Sequence, residues 1–255
     1  MSPLAVITIV QNAGPRLPHW LAHYSRQLGL EHCYVIDEGS SDGSTDDLKG
    51  AVRLSIPASS GSEERRIAFV SRIAAGLLNY YKCVAYVAAD ELLLADPRFY
   101  ASLAAYAEAM RADAVTSIGL ALVQAEGEPV LDPARSVGEQ RGSVVFSSSM
   151  CKTNLISRSV AWAPGWHSHD GPPQFDGLYL FQVGEGTALG ALPLAEDAGI
   201  GDLDGPLGED LAAFMRDTVA PASSPQAYAV PLARYGARRI PLAPEFREAL
   251  SAKPI

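Results

Sequence analysis

Positive charge is scarce in this chain: 20 lysines and arginines face 29 aspartates and glutamates, a formal net charge of -9 over 255 residues. Nucleic acid and anionic membrane are both held by clustered basic side chains, so this balance offers neither a global attraction. An anionic ligand would need a cation to mediate. Cysteine is as sparse, with Cys33, Cys83 and Cys151 far apart and never in CxxC spacing. That excludes a disulfide framework and a zinc knuckle, and it makes the reducing cytoplasm the expected compartment. Long hydrophobic runs are missing too. The opening MSPLAVITIVQNAG has no basic region, and its apolar run is too short for a signal peptide or a transmembrane segment. What is present, 48% hydrophobic and 19% charged residues, is ordinary for a soluble globular protein. The length suits one sizeable α/β domain.

LAVITIV, residues 4–10, is a β-branched run ended by polar residues, as expected for a central parallel strand buried on both faces. Pro18 opens a helical pattern in PHWLAHYSRQLG and Gly29 stops it. HCYVID, 32–37, reads as a second strand ending on an acid, followed by the turn formers EGSSDGSTDD, in which Ser44 or Thr45 can cap a next helix. AVRLSIP, 51–57, is a third short strand. Apolar residues at 67, 70, 73, 74, 77 and 78 mark a long amphipathic helix with Ser62 as its cap. KCVAYVAADELLL then reads as one strand, and FYASLAAYAEAMRA as a helix. Strands alternating with helices over residues 1–112 imply a mixed, mainly parallel α/β sheet, in which ligands bind outside the carboxyl ends of the strands. Asn12, Asp37 and Asp90 sit at or just beyond such ends.

The second half is less regular. AVTSIGLALVQ, 114–124, is strand-like, SVVFSSSMCKTNLISRS suggests a strand or hairpin, and LYLFQV, 178–183, is a strand. WAPGWHSHDGPPQFDG is an aromatic, histidine-bearing loop. Residues 113–184 form a second half of the single expected domain, 1–255. Residues 185–255 read as an irregular C-terminal wrap or lid with a short helix near LGEDLAAFMRDTV.

Three clusters carry chemistry. IDEGSSDGSTD, 36–46, has the acids and glycines that let a backbone approach a base or ribose, and it also reads as a plain turn. Asp90 and Glu91, directly after a buried strand, can bind a divalent cation bridging a diphosphate, or they simply mark the strand's exit to solvent. His167 and His169 in GWHSHD can supply a metal nitrogen or a proton acceptor, or stand as surface histidines.

Order and spacing tie these clusters together. QNA at 11–13, WLAHYSRQLG at 20–29, Asp37, Ser40, Asp42 and Ser44, then Ala88, Ala89, Asp90, Glu91 and LLL, then Gly165 to His167, resemble the glycosyltransferase family 2-like group of nucleotide-diphospho-sugar transferases. The resemblance spans roughly residues 4–183 and implies the GT-A (Rossmann-like) fold. It implies that Asp37 holds the base, that Asp42 supports the nucleotide loop with Asn12 beside it, and that Asp90 with His167 holds Mn2+ or Mg2+. Glu91 would be a further acid on the substrate side. His169, Asp170 and Asp176 would stand near the metal ligand as acid/base candidates. The implied partner is a nucleotide-diphosphate sugar or another small molecule, and the reaction displaces the nucleoside diphosphate at an anomeric carbon. The family's K-N-E is Q-N-A here and the first Asp of its D-x-D is Ala88, so three charged groups are missing. Three readings follow: transfer with a weakened metal site, a scaffold turned to acid/base chemistry on a small metabolite, or a binding protein without turnover.

Overall fold

β1 (Ser2–Val10) runs through the middle of a six-stranded sheet, and its apolar run is buried on both faces. The computed structural model describes residues 1–58, 62–124, 128–146, 150–183 and 239–255. β1 pairs in parallel with β2 (Cys33–Asp37) on one side and with β4 (Tyr81–Tyr86) on the other. β3 (Val52–Ser55) adds a parallel, exposed edge to β2. Beyond β4 come two antiparallel pairings, with β9 (Thr153–Ile156) and then β6 (Ala114–Thr116), giving the order β3-β2-β1-β4-β9-β6. This is the mixed, mainly parallel α/β sheet flanked by helices expected from the alternation of elements.

The helices form where their patterns place them. α1 (Leu17–Leu28) has Pro18 in its first turn and stops at Gly29, whose φ of 95° lies in the left-handed region that glycine tolerates. Its Leu17, Trp20, Leu21 and Tyr24 join Leu103 and Tyr106 of α3 (Leu103–Ala109) in the core over one face of the sheet. α2 (Glu63–Leu77) begins with the Ser62 hydroxyl accepting the Arg65 N–H at 3.4 Å. It lays Ile67, Val70 and Ala74 on the other face. Full burial of an aliphatic side chain the size of Val70 contributes about 1.5–3 kcal/mol.

A second sheet has the order β11-β8-β7-β10-β5, from β5 (Glu91–Ala95), β7 (Ile118–Val123), β8 (Ser143–Phe146), β10 (Leu178–Gln182) and β11 (Arg239–Pro241). Leu93, Ala95, Leu178 and Leu180 face the first core, so the two sheets share it. The opposite face is covered by α4 (Val137–Gln140) and α5 (Pro244–Ala249), with Phe246 fully buried.

Three expectations change. KCVAYVAADELLL is not one strand: it breaks at Val87–Asp90, and its halves belong to different sheets. AVTSIGLALVQ divides in the same way around Ser117. No helix follows the 38–50 loop; the Ser44 and Thr45 hydroxyls instead serve the carboxylates of Asp42 and Asp37. Of the segment expected as a wrap or lid, 185–255, residues 185–238 lie outside the described residues; in the remainder β11 pairs with β8 and α5 fills the second core. The helix expected near LGEDLAAFMRDTV lies outside the described residues. All three cysteines are buried. Among the described residues no helix is long and apolar enough to cross a membrane.

Candidate functional site

Parallel strands joined by helices send their carboxyl ends to one edge, and β1, β2 and β4 deliver Asn12, Asp37 and the Ala88–Glu91 turn there. Asn12, at φ 57°, turns the chain out of β1 and accepts the Ser41 N–H at 2.8 Å, while its own N–H reaches the Ser40 hydroxyl at 3.1 Å. Asp42 closes the same junction. It accepts the Gly14 N–H at 3.1 Å, and the Ser44 N–H and hydroxyl at 3.0 and 2.6 Å.

Asp37, expected to hold the base, is enclosed by donors of its own loop and of β3. It is only 2% exposed, and it accepts hydrogen bonds from the Ser40 N–H at 2.8 Å, the Thr45 hydroxyl at 3.0 Å and the Arg53 guanidinium at 2.6 Å. Burial by itself would raise its pKa; the hydrogen bonds from Ser40, Arg53 and Thr45 outweigh burial and hold the carboxyl at about 2. Both oxygens are committed to shaping the loop. Glu38, next in sequence and equally buried, accepts from Arg66 Nε at 2.9 Å.

The acid pair sits on a tight turn between sheets. The Glu91 N–H donates to the Ala88 carbonyl at 3.0 Å, and Glu91 Oε2 receives the Ala88 N–H at 3.0 Å. Glu91 Oε1 receives the Lys152 ammonium at 2.5 Å; the glutamate side chain is 3% exposed and the lysine 19%. Glu91, expected as a substrate-side acid, is therefore one half of a buried ion pair. Asp90 is half-buried and its carboxylate makes no hydrogen bond or ion pair with a described side chain. The W-L-x-H-Y segment pins this turn from below. His23 Nε2 donates to the Leu93 carbonyl at 2.7 Å, and the Tyr24 hydroxyl accepts the Leu93 N–H at 2.8 Å and donates to the Glu91 carbonyl at 3.3 Å.

The histidine loop closes over β4. Trp166 stacks on Tyr86 with ring centroids 3.8 Å apart and planes at 25°, and the Gly165 N–H donates to Glu63 at the start of α2. His167 Nδ1 donates to the Cys151 carbonyl at 3.0 Å, which leaves Nε2 as the bare nitrogen. His169 Nδ1 lies 3.2 Å from the Thr153 hydroxyl, and burial pushes its pKa down. These two histidines thus fasten the residues on either side of Lys152. Asp170 is turned to the surface, where it accepts the Ala161 N–H at 3.2 Å and faces Arg158 at 3.5 Å. Asp176 is not brought to the site. Gln182 pairs with Glu91, and Asp176 lies beyond the other end of β10, about 20 Å away at ~3.4 Å per residue, beside the Tyr106 hydroxyl.

Two concavities flank this edge. A groove of about 530 Å³ has Ile9, Ile56 and Phe69 as its apolar lining, with Arg65, Arg66 and Arg72 around it. Arg66 is tied to Glu38, whereas Arg65 and Arg72 are exposed. The second is an apolar cleft of about 360 Å³, lined in part by Arg16, His19, Ala89 and Val183. His19 is 5% exposed, neither ring nitrogen has a hydrogen-bond partner among the described residues, and burial pushes its pKa down against the pull of Asp132. Lys152, the groove arginines and His19 carry no local sequence signal; only the spatial partners single them out.

The residues present do not fit a hard divalent cation. Such ions take six or more ligands, with several oxygens from protein or phosphate. Ala88 has no side-chain oxygen, and both Glu91 oxygens already have partners. Asp90 and His167 Nε2 are the two donors left, and among the described residues no group of three or more His, Cys, Asp or Glu side chains could hold a metal.

No family model matches the chain, and no curated protein matches it. Among solved structures, the mannosyltransferase PcManGT from Pyrobaculum calidifontis in complex with GDP-Man and Mn2+ is 15% identical, covering 61% of this chain and 44% of that one, with a TM-score of 0.35. This chain therefore spans less than half the length of that protein. CMP:2-keto-3-deoxy-manno-octonic acid synthetase complexed with CTP is 12% identical, covering 94% of this chain and 88% of that one, with a TM-score of 0.33. At these scores neither likeness says what this chain binds or does.

Proposed function

We propose that this protein transfers a glycosyl group from a nucleoside-diphosphate sugar to a hydroxyl or amine of a small-molecule or glycan acceptor. The observation that carries this reading is the groove at the carboxyl ends of β1, β2 and β3. Its apolar lining of Ile9, Ile56 and Phe69 suits the flat face of a base, and Arg65 and Arg72 offer guanidinium groups to phosphate oxygens. The Asn12–Asp42 clasp beside it takes up the Gly14, Ser41 and Ser44 N–H groups and so holds the glycine- and serine-rich loop in one shape.

Transfer requires that an acceptor lose its proton as its oxygen or nitrogen bonds to the anomeric carbon and the diphosphate leaves. Of the acid candidates, Glu91 is held by Lys152, and Asp170, at the surface, accepts the Ala161 N–H and faces Arg158. Asp90 keeps a carboxylate without a partner among the described side chains, and in this reading it takes the acceptor's proton. The neighbouring apolar cleft with His19 is the expected seat of the acceptor.

The test is isothermal titration of the full chain with UDP and with GDP, followed by mass spectrometry of reactions containing nucleotide sugars. Micromolar binding of one nucleotide, weakened about tenfold by Arg72→Ala, is expected; loss of one charge-assisted phosphate contact is worth about 1.4 kcal/mol. Absence of binding to both nucleotides would overturn the reading.

A further inference from the structure

Lys152 stands across the strand from the position where the acidic motif lacks its first carboxylate. β4 and β9 pair antiparallel with Val84 opposite Ile156 and Ala85 opposite Leu155. Carrying the count past the ladder sets Tyr86 opposite Asn154 and Ala88 opposite Lys152. Two contacts hold this register beyond the strand ends. The Asn154 side-chain amide donates to the Tyr86 carbonyl at 2.8 Å, and the Glu91 carboxylate bridges the Ala88 N–H and the Lys152 ammonium.

We propose that Lys152 supplies the positive charge that a divalent cation would bring, so that the protein binds the diphosphate of its nucleotide without metal. This rests on the nucleotide-sugar reading above. The charge count supports it: three carboxylates of a D-x-D-E motif and one divalent cation leave one negative charge, and Asp90, Glu91 and Lys152 also leave one. The lysine side chain is 19% exposed, so it is largely desolvated without being sealed off. In that setting an ammonium attracts phosphate more strongly than it would in water. Glu91 holds the ammonium at 2.5 Å in a largely buried position, and the His167 and His169 contacts to Cys151 and Thr153 fasten the residues on both sides of it. An ammonium hydrogen-bonded to a phosphate oxygen offsets the charge that grows on the leaving group as the glycosidic bond breaks, with no electron transfer and no co-reactant.

The test titrates UDP and GDP into the wild-type chain, once with Mn2+ and once with EDTA, and repeats this with three variants. Wild type is expected to bind equally in both conditions. Lys152→Met strands a buried carboxylate and can unfold the chain. The paired variant Lys152→Met/Glu91→Gln removes both charges together, and its fold is checked by thermal melting; it is expected to lose at least tenfold in affinity. Ala88→Asp/Lys152→Met is expected to bind only with Mn2+, because it restores the carboxylate and removes its competitor. Wild-type binding that vanishes in EDTA and returns with Mn2+ would overturn the lysine's role and leave the nucleotide-sugar reading standing. Undiminished binding by a folded Lys152→Met/Glu91→Gln variant would do the same. Failure of wild type to bind either nucleotide in either condition would overturn both.

Discussion

His23 Nε2 lies 2.7 Å from the Leu93 carbonyl oxygen and joins the first helix to the strand that follows the acid pair. A carbonyl only accepts, so Nε2 carries the proton, and Nδ1 is left buried without a partner. Burial is the main cause of a pKa pushed down to about 4; the hydrogen bond to Leu93 pulls the other way, and Arg26 adds a small further depression. The unfolded chain titrates this group near 6.5, so it binds the extra proton first as the pH falls. Stability from His23 is complete above about pH 6.5 and is lost as the pH drops towards 4, by about 3 kcal/mol in all. Urea unfolding at pH 7.5 and 4.5 is expected to show that loss, reduced in His23→Gln, whose side-chain amide does not titrate.

Asp37 sets a second, lower window. Its folded pKa of about 2 lies below the usual aspartate value, so its contribution is complete above about pH 4 and disappears as the pH falls through 2. Arg53 is 39% exposed, and solvent weakens its share. Asp37→Asn is expected to cost about 1–2 kcal/mol at pH 7, and to flatten the acid limb of the stability profile below pH 4 while leaving the His23 window unchanged.

Glu91 and Lys152 are expected to behave as one unit in stability measurements. Removing either charge leaves the other largely buried and unpaired, which costs about 3 kcal/mol. Urea unfolding of Glu91→Gln, Lys152→Met and the double variant forms a cycle in which the double variant is far less destabilised than the sum of the singles. Additive losses would mean that the two groups do not depend on each other.

The histidine loop is expected to depend on ring packing. Trp166 is 6% exposed, stacks on Tyr86 and meets Trp162 at 5.2 Å. Trp166→Ala should lower stability by about 3 kcal/mol and remove near-ultraviolet circular dichroism from this cluster. Gly165→Ala acts more locally. Its φ of 77° disfavours a side chain, and a Cβ there would sit 2.5 Å from His167 Cδ2, so the ring must move while the core stays intact. Histidine NMR signals would report that movement.

Gly138→Ala tests whether the C-terminal segment belongs to the core. An added Cβ would lie 2.1 Å from the Arg247 carbonyl oxygen, where α4 meets α5, and the Gly138 N–H already donates to the Leu250 carbonyl at 3.1 Å. Relief requires the two helices to separate around Phe246, and a loss of about 2–3 kcal/mol is expected in urea unfolding. A freely detachable tail would show no change.

The local pattern alone was enough to place β1, α1, β2 and α2. A β-branched run buried on both faces and a helical stripe ending at Gly29 or starting at Ser62 are properties of neighbouring residues. The edge position of Asn12, Asp37 and Asp90 followed, because parallel strands joined by helices point their ends one way. The breaks at Val87–Asp90 and at Ser117 did not show, since a run buried throughout looks the same on both sides of a bend.

Which acids are free and which are spent was decided by tertiary structure. Arg53 reaches Asp37 from a neighbouring strand, and Lys152 reaches Glu91 across 61 positions. Only the fold brings that lysine to the carboxylate that also accepts the Ala88 N–H. Residue types and spacing fixed where negative charge would gather, because that depends on where strands end. The sign and strength of the field at that place depend on charges brought in from distant segments, and no local stretch of sequence records them.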